Sequence, residues 1–146
     1  MITRTATARY EGFGKAGKGR VSTQSGVLED QSYGFGSRFE AEKGTNPEEL
    51  VAAAHAACFT MALSFALAKE GLTDGALETT AKVKLDQEGG GFRVSRSDLS
   101  LEANAAGIDE ARFRELAEDA KANCPISKLL NAEMTLDVRL NEAVGA

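Results

Sequence analysis

Cys58 and Cys124 are the two thiols of this 146-residue chain, and they stand in contrasting surroundings. Cys58 lies in TNPEELVAAAHAACFTM (45–61), three residues after the single histidine, His55. A thiol there has two readings: a small hydrophobe filling a buried helix, or a nucleophile held in a dry setting. Cys124 directly precedes Pro125 in NCPISKLLN, at the start of a short helix, where free N–H groups and the helix dipole favour a thiolate. Its other reading is a cap residue that happens to be cysteine, although cysteine caps poorly beside Ser or Asp. One thiol on a buried helix and one at a helix start suggest a reacting pair. Residue types alone leave that open against inert core packing.

Other constellations carry less. His55 and Cys58 project from neighbouring points of one helix face, which permits a Cys–His nucleophile pair as in thiol hydrolases. No third orienting group is evident, and a histidine donating to a nearby backbone group or carboxylate fits better. A zinc site from Cys58, Cys124 and His55 lacks C-x-x-C or comparable spacing, so neither metal nor cofactor is expected. The glycine-rich GFGKAGKG (12–19) is flanked by strands, not by the strand-then-helix setting that cradles phosphate. Arg38, in GSRFE, reads by itself as an exposed charge.

The elements that must position these residues belong to one domain, 1–146, with no repeat, low-complexity tract or linker. β-Branched residues in partial alternation predict short strands at 2–10 and 20–28, followed by a bend or short strand within 33–44. Thr45 or Asn46 caps a long helix that runs to Lys69, with Pro47, Glu48 and Glu49 in its first turn and Gly71 as its stop. Segments 77–87 and 92–103, joined by EGGG, read as a hairpin. An amphipathic helix at 109–122, a short helix at 125–130 and a strand at 132–140 complete an α+β domain.

The long helix is apolar on every face, with polar interruptions only at His55, Thr60 and Ser64. Such a helix must be covered all round. A few strands cover one side, and the rest calls for a second copy of the chain, so a homodimer is expected. A membrane span is the rival reading. Half of the helix's apolar residues are alanine and charges crowd both ends, so a buried soluble helix is expected instead. A net charge of −5 argues against nucleic acid and against anionic membranes as partners. With no apolar signal-like run at the N-terminus, a cytoplasmic protein with reduced thiols is expected.

Taken together, TNPEELVAAAHAACFTMALS, GFGSRFEAEKG and NCPISKLL resemble the OsmC/Ohr family of osmotically inducible and organic hydroperoxide resistance proteins, the OsmC branch more closely. The likeness extends from VSTQSGVL to AEMTLDVRL, essentially the whole chain. It implies a thiol-dependent peroxidase that reduces organic hydroperoxides to alcohols. It also implies an OsmC-like intertwined homodimer, its long central helices buried under antiparallel sheets and its two active sites at the subunit interface. By position, Cys58 matches the peroxide-attacking cysteine and Cys124 the resolving one, which implies a Cys58–Cys124 disulfide. Arg38 matches the active-site arginine and Glu49 the glutamate that pairs with it. A lipoyl-bearing dithiol protein is the implied reductant, and Phe35, Phe39, Phe59 and Met61 offer an apolar setting for an organic peroxide. Glu49 and Cys58 differ by roughly 13–14 Å along a straight helix and about half a turn around it. To meet at one peroxide, they would have to come from different subunits. The alternative is a non-catalytic, stress-associated binding or scaffold protein whose cysteines fill the core.

Overall fold

The computed structural model describes residues 1–141, and the chain forms two compact units, one ending at Leu50 and one beginning at Val51. In the first unit, β1 (Ala6–Glu11), β2 (Lys18–Thr23) and β3 (Gln31–Tyr33) form an antiparallel meander. The expected strand over 20–28 stops at Thr23 because the chain turns back on itself there. Thr23 N–H donates to the Leu28 carbonyl at 2.8 Å, and Gly26 takes a φ of +80° that suits few other residues. Gly19 is buried against Tyr33, where an added Cβ would come within 2.6 Å of the ring. Among residues 1–50 only Gly19 and Gly36 are buried, so this sheet has no side-chain core of its own.

The stretch after β3 is a helical turn, α1 (Phe35–Phe39), where a bend or strand was expected. Polar bonds make it, and these leave no trace in apolar periodicity. The Ser37 hydroxyl accepts from Gly34 N–H at 3.0 Å, as an N3 side chain does in a capping box. The same hydroxyl donates to the Thr45 carbonyl at 2.7 Å, and the Asn46 amide donates to the Ser37 carbonyl at 2.9 Å. Asn46 also caps the long helix α2 (Pro47–Lys69), its side-chain oxygen accepting from Glu49 N–H at 2.8 Å.

In the second unit, β4 (Gly75–Glu88) and β5 (Gly91–Ala105) pair through the two-residue Gly89-Gly90 turn. The sheet is not wholly antiparallel, as had been expected. β6 (Glu133–Asn141) lies parallel to β5, because α3 (Glu110–Asn123) and α4 (Pro125–Leu129) intervene and return the chain to the same end of the sheet. Alternate residues of β5, Ser97, Leu99, Leu101 and Ala103, point inward. They meet Phe113, Ala117 and Ala120 of α3 and the α2 stripe His55, Phe59, Leu63 and Leu67, spaced every four residues.

Within one chain α2 is therefore buried along one stripe only, not all round. Met61 is 62% exposed and Phe65 66%. By length and composition alone α2 could cross a bilayer, but the His55–Leu67 stripe is committed to the core.

Candidate active site

α2 and α4 bring the two thiols together. Cys58 is half-buried at the edge of the α2 stripe, and Cys124 is buried at the N-cap of α4, with Pro125 in that helix's first turn. The two thiols are neighbours, close enough for Cys124 to act on the ionisation of Cys58. Burial pushes the Cys58 thiol above its ordinary pKa, a hydrogen bond from the Ile126 backbone pulls it down, and the neighbouring Cys124 pushes it up again. Cys124 has a second set of partners. Ser127 N–H donates to its sulfur at 3.4 Å, and the Ser127 hydroxyl lies 3.0 Å from the same sulfur.

His55 is buried, and both its ring nitrogens are taken. Nδ1 lies 2.6 Å from Ser97 Oγ and Nε2 2.8 Å from Ser127 Oγ. The expected backbone or carboxylate acceptor is replaced by two serines, and a direct bond from His55 to Cys58 has no nitrogen left to make it. Burial lowers the imidazole's pKa, so the ring is neutral at neutral pH.

Arg38 sits on α1 in the first unit. Its Nε and Nη2 donate to the two carboxylate oxygens of Glu48, each at 2.9 Å, and the guanidinium lies 5.2 Å from the centre of the Phe39 ring. The fork-on-fork pairing raises the arginine pKa further, so the group is cationic at every accessible pH. Glu49, the residue expected to pair with Arg38, is turned away within this chain. Its carboxylate accepts from Thr45 Oγ1 at 2.9 Å, and Glu48 takes its place on the guanidinium.

Three residues of these networks went unsingled in the sequence: Glu48, Ser97 and Ser127. Nothing in NPEEL separates the two glutamates. Ser97 had a signal, a polar residue on the inward phase of a strand otherwise carrying leucine and alanine. Ser127 had one as well, three positions after a cysteine at a helix start, where an N-cap side chain finds its partner.

Two neighbouring free thiols, one at a helix edge and one capping a second helix, on an α+β frame, have the arrangement of a dithiol redox site. A family profile described as OsmC-like protein matches residues 40–139. The chain is 52% identical over 139 residues to peroxiredoxin OsmC of Escherichia coli (strain K12), covering 95% of this chain and 97% of that protein. It is 30% identical over 141 residues to the organic hydroperoxide resistance protein OhrB of Bacillus subtilis (strain 168), covering 96% and 98%. The crystal structure of Bacillus subtilis OhrB matches with a TM-score of 0.66, covering 94% of this chain and 98% of that one at 30% identity. An organic hydroperoxide resistance protein from Elizabethkingia anophelis matches at 0.72, with 29% identity and 97% of each chain covered. The chain belongs to the OsmC-like family, and its higher identity is to the OsmC branch.

Proposed function

We propose that this protein is a thiol peroxidase that reduces organic hydroperoxides to alcohols, with Cys58 as the attacking and Cys124 as the resolving cysteine. The observation that carries the reading is the proximity of the two thiols. The Cys58 thiolate attacks the terminal peroxide oxygen, the O–O bond breaks, and the alkoxide leaves as the alcohol after taking a proton. Cys58 is then a sulfenic acid, which condenses with Cys124 to a disulfide and water. An external dithiol, in our reading a lipoyl-bearing protein, reduces the disulfide by exchange. Such a cycle needs a reducing compartment, and we assign the protein to the cytoplasm.

The test is thiol counting. Stoichiometric cumene hydroperoxide is expected to remove both of the chain's thiols, and dihydrolipoate to restore them. Unchanged thiol counts would leave the cysteines as core filler in a binding or scaffold protein.

The working unit in this proposal is a homodimer. Three features support it: a β1–β3 sheet without side-chain core, the exposed stripe of Met61 and Phe65, and a cavity of about 780 Å³ along that helix face. Ala53, Ala57, Met61, Phe65, Leu72 and Leu77 line the cavity, and Cys58 does not. An apolar groove of this kind suits the same face of a second copy. On this reading Glu49 of the partner subunit completes each site. Mixing inactive Cys58→Ser and Glu49→Ala proteins is then expected to restore up to about a quarter of wild-type turnover per chain, since half the dimers are mixed and each holds one intact site. No recovery on mixing would count against shared sites.

A further inference from the structure

Ser97, His55, Ser127 and Cys124 form an unbroken buried chain of hydrogen bonds that the cycle above leaves unused. The neutral imidazole has one donor nitrogen and one acceptor nitrogen. When Nδ1–H donates to Ser97 Oγ, Nε2 accepts the Ser127 O–H, and the Ser127 oxygen is free to accept from the Cys124 thiol 3.0 Å away. Packing alone would not require this arrangement, since buried polar groups cost stability unless every one is paired, and an apolar trio avoids that cost.

We propose that His55, acting through the Ser127 hydroxyl, takes the proton of Cys124 when that thiol attacks oxidised Cys58. The inference rests on the peroxidase reading and deepens it. The Cys124 S–H proton passes to Ser127 Oγ while the Ser127 hydroxyl proton moves to His55 Nε2. The electron pair freed on the Cys124 sulfur forms the S–S bond, and the S–O bond of the Cys58 sulfenic acid breaks. Hydroxide leaves and becomes water with the proton held by the imidazolium. Cys124 sulfur is oxidised and Cys58 sulfur reduced, so no outside electron carrier enters this step. Ser127 touches the reacting thiol directly and His55 is a positioning residue that acts through it, on the resolving thiol and not on the peroxide.

The experiment separates the two chemical steps. Full-length protein is mixed rapidly with cumene hydroperoxide, quenched with dimedone at intervals, and resolved by mass into sulfenate adduct and disulfide. His55→Gln reaches the same hydroxyl with an amide that takes up no proton, Ser127→Ala removes the hydroxyl, and Ser127→Thr keeps it. Disulfide closure relative to peroxide attack is expected to slow about 100-fold in His55→Gln and Ser127→Ala, with labelled Cys58 accumulating, and to change only a few fold in Ser127→Thr. Closure at the wild-type ratio in the first two variants, or equal slowing in Ser127→Thr, would overturn the relay and leave the peroxidase reading intact. If the wild-type protein itself forms no disulfide, both fall.

Discussion

Cys58→Ser protein consumes cumene hydroperoxide, with dihydrolipoamide as reductant, about a thousandfold more slowly than wild type or worse. The reason is electronic more than structural. Serine is nearly isosteric, Cys58 is only half-buried, and the main core of Phe59, Leu63, Leu99 and Phe113 is untouched, so the fold survives. A hydroxyl in that place is un-ionised and is a poor nucleophile toward peroxide oxygen. Cys124→Ser gives a different failure. The first attack still occurs, but the sulfenic acid finds no second thiol, and excess peroxide drives it to the sulfinic acid, readable as two added oxygens on Cys58. A Cys58→Ser protein with a tenth of wild-type activity or more would show that another group does the chemistry.

Arg38→Met carries the second large effect, a loss of about 100-fold at pH 7. A thiol with the ordinary pKa of about 8.5 is only about 3% ionised at pH 7. In this chain burial pushes Cys58 higher, and the single hydrogen bond from the Ile126 backbone works against both burial and Cys124. Neighbours of that kind do not make a thiolate, so a cation has to be added. In the proposed mechanism Arg38 supplies that cation, and its pairing with Glu48 keeps it charged. The sign of the pH dependence follows. A cation beside the sulfur favours the thiolate, so the wild-type rate levels off at a lower pH than the variant's. Without it the thiolate fraction, and with it the rate, climbs about tenfold per pH unit until the raised pKa is reached. Stopped-flow peroxide consumption across pH 6–10 checks this, and superimposable profiles would remove Arg38 from the mechanism.

What could be read from the residues depended on how local the causes were. The long helix was legible because its cap, its proline and its apolar run act within a few positions of one another, and the Gly89-Gly90 hairpin for the same reason. The helical turn carrying Arg38 was not, since it hangs on Ser37 and Asn46 bonding across a bend. The parallel placement of β6 was hidden as well, because strand direction is set by the path through α3 and α4 and not by the pattern of the strand. At the site, the cysteines announced themselves by type and position. Their polar neighbours did not, because Ser97 and Ser127 matter only after folding has brought them to His55 from 42 and 72 residues further along the chain. Two adjacent identical letters cannot say that Glu48 meets Arg38 while Glu49 meets Thr45.

The opening sheet, which buries nothing of its own but glycine, has a consequence for how the protein comes to be active. With a second copy as the missing floor, newly made chains remain unfinished until they meet. Catalytic capacity would then grow faster than linearly with abundance at low expression, and a modest rise in synthesis would switch on a disproportionate share of working sites.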